Sequence, residues 1–201
     1  MDRLTPTLIK ILFLFFTFIG TSCADQGQIK TKTLADVYKT SCATCHGKNG
    51  EGVRADNSPS IASLDSWYIE RQLKNFNKGI REPHPSDQIL ESDIASLSTF
   101  ISGLPVTAQK NEIEGNAATG QALYGVCAAC HGVDAKGNQA LSSPNLTVIQ
   151  DWYLVLQLKN FKSGTRGFHS DDTFGRQMQP MAVILIDNTA ISNVTAYIMS
   201  L

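Results

Sequence analysis

Two short runs in this chain combine thiols and an imidazole in the same order: Cys42-Ala43-Thr44-Cys45-His46 and Cys127-Ala128-Ala129-Cys130-His131. Two cysteines three positions apart lie about one helical turn from each other. Each can form a thioether with one vinyl group of a porphyrin, and the imidazole that follows then lies beneath the iron as its proximal ligand. C-x-x-C-H is the attachment signature of haem c. A zinc ribbon also uses paired C-x-x-C knuckles, but places them about 15–20 residues apart. Here 81 residues separate Cys45 from Cys127, and a histidine follows both pairs. A thioredoxin-like redox pair needs a βαβ neighbourhood, which is not legible here. The chain is therefore expected to hold two covalently bound haems through Cys42, Cys45, Cys127 and Cys130, with His46 and His131 as proximal ligands.

The motifs belong to a longer repeat. A shift of 85 positions overlays Cys42 on Cys127, Gly47 on Gly132, Gly52 on Gly137 and Pro59 on Pro144. It carries Trp67-Tyr68 onto Trp152-Tyr153, and Gln72-Leu73-Lys74-Asn75-Phe76 onto Gln157-Leu158-Lys159-Asn160-Phe161. Gly79, Arg81 and His84 meet Gly164, Arg166 and His169 without a gap. Two homologous domains with one haem each follow from this self-similarity. Pro59 and Pro144 each lie thirteen residues beyond their histidine. A prolyl carbonyl has no competing N–H, so both are candidates to accept the proximal imidazole N–H and fix its tautomer.

A distal ligand is needed as well, and electron carriers of this kind favour the methionine thioether, which raises the reduction potential. The second repeat offers Met178, Met181 and Met199, the last of them in an expected packing position on the terminal helix. The first repeat has no methionine. Fifteen residues separate His169 from Leu185, whereas five separate His84 from Leu90, and the missing stretch is the one that carries Met178. The two haems must then be ligated differently. Three arrangements fit the first: His84 as distal ligand, another residue or a neighbouring molecule in that place, or an open five-coordinate iron. Against His84, its counterpart His169 exists in the repeat that has its methionine, which suggests a shared structural or surface role.

These residues need helices to position them. Leu34–Ser41 and Ala118–Val126 read as lead-ins to the two motifs. Residues 68–78 and 153–162 show helical spacing, with Leu73/Phe76 and Leu158/Phe161 on one face and Gly79 and Gly164 placed as helix ends. The last helices run over about 92–104 and 189–201. No strand is legible. Trp67, Tyr68, Gln72 and their counterparts Trp152, Tyr153 and Gln157 serve either as haem-propionate partners or as core and solvated helix face. Arg71, Lys74, Lys78, Lys159, Lys162 and Arg166 are candidates for a partner-docking face, or simply a solvated one. Residues 105–114 (PVTAQKNEIE) read as a linker between domains at 33–104 and 115–201.

The N-terminus differs in kind. Arg3 and Lys10 precede the apolar run Ile11 to Ile19, followed by Gly20, Thr21, Ser22, Cys23 and Ala24. That is the layout of an export signal over residues 1–24, with 25–32 as a spacer. Cleavage after Ala24, lipidation of Cys23, and an uncleaved anchor all fit. Each places the folded part outside the cytoplasm, in the periplasm and in some cases attached to the membrane. A net charge of −1 over 201 residues gives no basic excess for nucleic acid.

With these motifs in view, the chain resembles the class I cytochromes c, and its tandem arrangement is similar to cytochrome c4. The likeness covers about residues 33–201 and includes Pro144-Asn145-Leu146 after the second proximal histidine. The resemblance implies an all-α fold of two tandem domains, each wrapped around one haem, with the haems near one another. It implies Met178, seven residues before Leu185, as the distal ligand, with Met181 as runner-up. It also implies electron transfer from a quinol-oxidising complex or a dehydrogenase toward a terminal oxidase or reductase. The missing methionine stretch motivates a second reading, a haem enzyme or small-ligand binder working at an open haem 1.

Overall fold

A computed structural model of the chain describes residues 32–82, 84, 89–105 and 112–201. The export segment with Cys23 lies outside the described residues. The first repeat comprises α1 (Leu34–Ser41), α2 (Ala43–His46), α3 (Ser66–Asn77) and α4 (Glu91–Ser102). The second comprises α5 (Ala117–Tyr124), α6 (Ala128–His131), α7 (Asp151–Ser163), α8 (Thr173–Val183) and α9 (Asn188–Ile198). A 3-10 turn follows each haem motif, at Arg54–Asp56 and Gln139–Leu141. Among the described residues extended pairing is confined to two isolated bridges, Val53 with Ser58 and Asn138 with Ser143. The fold is all-α, and the bridges recur at the repeat spacing.

Local chemistry sets the helix ends. Thr33 and Asp36 form a reciprocal capping box that starts α1: the Thr33 hydroxyl accepts from Asp36 N at 3.2 Å, and Thr33 N donates to the Asp36 carboxylate at 3.1 Å. Asn116, Asp172 and Asp187 cap α5, α8 and α9 through their side-chain oxygens. Helix α7 closes on Gly164 in the left-handed region, φ 76°.

The core repeats with the sequence, but not at one spacing. Ile94, Leu97, Ser98 and Ile101 on α4 return as Ile191, Val194, Thr195 and Ile198 on α9, all nearly inaccessible to solvent. That spacing is 97 positions rather than 85, so the second repeat carries twelve more residues before its last helix. Helix α8 occupies this stretch and has no counterpart among the described residues of the first repeat. The pairing of Leu90 with Leu185 needs correction. Leu90 is 70% exposed, while Ile89 is buried. Ile89 also offers its carbonyl to Asn77 Nδ2 at 2.6 Å, as Leu185 offers its own to Lys162 Nζ.

In the second repeat α5 crosses α9 at close range. A Cβ on Gly120 would lie 1.9 Å from the carbonyl oxygen of Asn193, so only glycine permits the approach. The end of the linker is held rather than free. Buried Asp151 accepts from Glu112 N at 2.5 Å and from Ile113 N at 2.7 Å, while Arg54 of the first repeat pairs with the Glu112 carboxylate at 3.1 Å. Gln150 also joins the repeats, accepting from Ser60 N at 2.6 Å and donating to the Glu51 carbonyl at 2.9 Å.

Candidate haem sites

Each repeat folds around a cavity bounded by its own C-x-x-C-H motif. Cavity 1 is lined by Cys42, Cys45, His46, Pro59, Phe76 and His84, among others. Cavity 2 is lined by Cys127, Cys130, His131, Pro144, Met178 and Met181, among others. Burial pushes the Cys42 thiol up to about 11, and the Cys127 thiol is raised for the same reason. A redox-active or nucleophilic cysteine is shifted the other way, so these thiols suit covalent attachment better than thiol–disulfide exchange.

The proximal histidines are held alike. His46 Nδ1 lies 2.7 Å from the Pro59 carbonyl oxygen, and His131 Nδ1 lies 3.0 Å from that of Pro144. A carbonyl only accepts, so the proton sits on Nδ1 and the Nε2 lone pair is left for a metal. Burial lowers both imidazoles' pKa, partly offset by the prolyl carbonyls. The glycine after each histidine presents its carbonyl to a buried phenol: Tyr38 Oη donates to Gly47 O and Tyr124 Oη to Gly132 O, each at 2.7 Å.

Between the cavities lies a reciprocal cluster. Arg81 donates to Gln72 Oε1 at 2.8 Å and to Tyr153 Oη, across the repeats, at 2.9 Å. Arg166 donates to Gln157 Oε1 at 2.7 Å, and across the repeats to Tyr68 Oη at 3.1 Å and Gln72 Oε1 at 3.2 Å. Tyr68, Gln72, Tyr153 and Gln157 line both cavities. Burial would raise the Tyr68 phenol, but the guanidiniums of Arg166 and Arg81 outweigh it and hold it below the usual range. Both arginines are themselves buried. Arg71 adds a third cation: it donates to Ser142 O at 3.0 Å and lies over Phe174 of α8, while its Nη1 is buried with no partner. Buried cations bordering an apolar cavity call for an anionic group.

The residues present fit haem c. Two thiols, an imidazole with its lone pair free, an apolar bed and buried cations placed for carboxylates are all found in each half. Met178 and Met181 both face cavity 2 from α8; Met178 is half-buried, and Met181 is 37% exposed. Met199 packs against the core instead. His84 faces cavity 1, where burial, then His46 and Arg81, push it down to about 4 and keep it neutral. His169, its partner in the repeat register, does not line cavity 2. It accepts from Asp171 N at 3.1 Å, in the turn ahead of α8.

Other expectations divide. Tyr68, Gln72, Tyr153 and Gln157 reach the cavities, whereas Trp67 and Trp152 lie under Arg71 and Arg54. The expected basic docking face does not form as a unit. Arg166 is buried, Lys74 pairs with Glu70 at 2.7 Å, and Lys162 is bound to the carbonyls of Leu185 and Ile186. Sequence reasoning missed the arginine cluster and the Asp151 anchor. The cluster had one signal, the recurrence of Arg81 as Arg166; Asp151 had none.

The comparisons with known proteins agree with this geometry. The cytochrome c family profile matches twice, over residues 34–105 and 117–201. The "thiosulfate dehydrogenase electron acceptor" of Stutzerimonas stutzeri is 29% identical over 175 residues, covering 79% of this chain and 80% of that protein. Cytochrome c4 of Pseudomonas aeruginosa is 25% identical over 217 residues, across the full length of both. Among solved structures, the cytochrome c4 of Acidithiobacillus ferrooxidans superposes with a TM-score of 0.63 at 24% identity, covering 81% of this chain and 99% of that one.

Proposed function

The chain belongs to the cytochrome c family and carries two covalently bound haem c groups, one per repeat; on that premise we propose that it relays electrons from a dehydrogenase or quinol-oxidising complex toward a terminal oxidase or reductase. A relative named as the electron acceptor of a thiosulfate dehydrogenase supports a dehydrogenase as donor. The observation that carries the reading is the pair of like cavities sharing one cluster of Arg81, Arg166, Tyr68, Tyr153 and Gln72, in which both arginines are buried. Bound haem supplies a one-electron ferric/ferrous couple.

The chain's residues do the rest. Cys42, Cys45, Cys127 and Cys130 hold the groups, and His46 and His131 ligate through Nε2, oriented by Pro59 and Pro144. Met178 would ligate from α8, and Arg81 and Arg166, buried beside the cavities, would hold the haem carboxylates. The export segment and the extracytoplasmic attachment of haem c support a periplasmic site of action, with Cys23 as the residue that would carry a lipid anchor. The alternative, an enzyme or small-ligand binder at an open haem 1, is not favoured by the relatives, which are named as electron acceptor and cytochrome c4.

The test is anaerobic mixing of the purified mature protein with a reduced thiosulfate dehydrogenase. Intact mass should exceed the polypeptide by two haems, and both haems should be reduced within one mixing experiment. A colourless protein, or one that accepts no electrons from that enzyme or from a quinol-oxidising complex, removes the proposal.

A further inference from the structure

The two cavities differ on the side opposite the proximal histidine. Helix α8 brings Met178 to cavity 2, and no described element of the first repeat corresponds to it. No methionine lines cavity 1. Its sulfur and imidazole groups are Cys42, Cys45, His46 and His84. The thiols are committed to attachment and His46 to the proximal side, which leaves His84.

His84 stands where such a ligand is needed. Its ring is parallel to that of His46 within 4°, with the centroids 5.9 Å apart. The two stacked rings thus flank a common gap inside cavity 1. Phe76 packs on the His84 ring at 4.7 Å and helps set its orientation. The objection from His169 falls away, because the shared register does not produce a shared position: one histidine faces a cavity, the other holds a turn. The second repeat has α8 and a thioether, and the first has a shorter connection and an imidazole.

We propose that His84 is the distal ligand of haem 1, making it a bis-imidazole site beside an imidazole–thioether site at haem 2. This rests on the two-haem reading above. A thioether raises the reduction potential relative to a second imidazole, so haem 1 is the lower-potential group and the chain holds two unequal electron sites.

The experiment is a redox titration of the full-length holoprotein, followed by visible, near-infrared and electron paramagnetic resonance spectra, for wild type, His84→Ala and His84→Met. In the wild type two separate reduction waves are expected, a thioether–iron charge-transfer band for one haem only, and no carbon monoxide binding to reduced haem 1. His84→Ala should turn haem 1 high-spin and open to carbon monoxide, and added imidazole should restore the low-spin spectrum. His84→Met should raise the lower wave and double the charge-transfer band. Rapid stoichiometric carbon monoxide binding in the wild type, or an unchanged lower wave and low-spin spectrum in His84→Ala, overturns the assignment. An intact mass showing fewer than two haems instead removes the underlying two-haem reading.

Discussion

The guanidinium of Arg166 donates to the hydroxyl of Tyr68, 98 residues earlier in the chain, at 3.1 Å. The bond crosses from one repeat to the other, and Arg81 returns it by donating to Tyr153 at 2.9 Å. Gln72 Oε1 accepts from both arginines. The repeat places the same arginine in each half, and each one faces the other half's tyrosine. The boundary between the repeats is thus polar, cationic and common to both cavities.

The shared acceptor makes the two arginines energetically dependent. Arg81→Gln and Arg166→Gln should each destabilise the holoprotein by about 1–3 kcal/mol, the cost of leaving buried partners unsatisfied. Because both bonds end on Gln72, the double variant should cost less than the sum. Each substitution also removes positive charge beside a haem pocket, which favours the oxidised form and lowers the reduction potentials. Urea unfolding and potentiometric titration of the four members of the cycle measure both effects. Strict additivity with unmoved potentials would refute the coupling.

Met178 and Met181 both face cavity 2, but Met178 is the more enclosed. Met178→Ala should abolish the thioether–iron charge-transfer band and lower the potential of haem 2, while Met181→Ala keeps the band. Near-infrared spectra of the two oxidised variants decide it, and the reverse pattern assigns Met181.

Much of this was legible in the chain and some was not, for definite reasons. The C-x-x-C-H runs stand out in the sequence because haem c attachment asks for fixed residue types at fixed spacing, and the recurrence of Pro59 as Pro144 marks the carbonyls that His46 and His131 meet. Helices α3 and α7 showed because their apolar positions recur with the helical period. Helix α8 did not show, since Pro180 lies inside it and its core contact is slight, with Ala182 its one buried residue. Arg71 and Arg166 are expected on a docking or solvated face because sequence periodicity gives the face of a helix but not which neighbour covers it. His84 and His169 were equated for a related reason. Register is a property of the chain, whereas position depends on whether α8 is there.

The phenols behind the proximal histidines give a pH prediction. Burial pushes Tyr38 and Tyr124 up to about 12, above the ordinary value of about 10. The folded state therefore keeps protons that the unfolded chain releases. The resulting stabilisation is complete below about pH 10 and is lost as pH rises through about 12. Tyr38→Phe and Tyr124→Phe should each cost about 1 kcal/mol at neutral pH, through the lost bonds to Gly47 O and Gly132 O. Denaturation midpoints between pH 8 and 12 (about the span of these phenols) should show the gap between wild type and double variant closing toward the alkaline end. A gap constant across that span rules the phenols out as its source.

Asp151 is 1% exposed and accepts from three backbone N–H groups, those of Glu112, Ile113 and Trp152. Two of them belong to the segment that joins the repeats, so one carboxylate at the start of α7 fixes where the second repeat begins. Arg54 pairs with Glu112 and stacks over Trp152 at 4.5 Å, bringing the first repeat to the same point. Asp151→Asn keeps the shape but replaces an ionised acceptor with a neutral amide whose NH₂ faces backbone donors. Hydrogen bonds to a charged group contribute about 1.5–3 kcal/mol each, so a loss of about 2–4 kcal/mol is expected, given that part of the bonding survives. The same change should speed proteolysis near residues 105–114, while the haem spectra stay as in the wild type because no cavity residue is altered. Limited proteolysis and urea unfolding, read beside the visible spectrum, separate these effects. Unchanged cleavage with wild-type stability would show that the segment is held by the Arg54–Glu112 pair and not by Asp151.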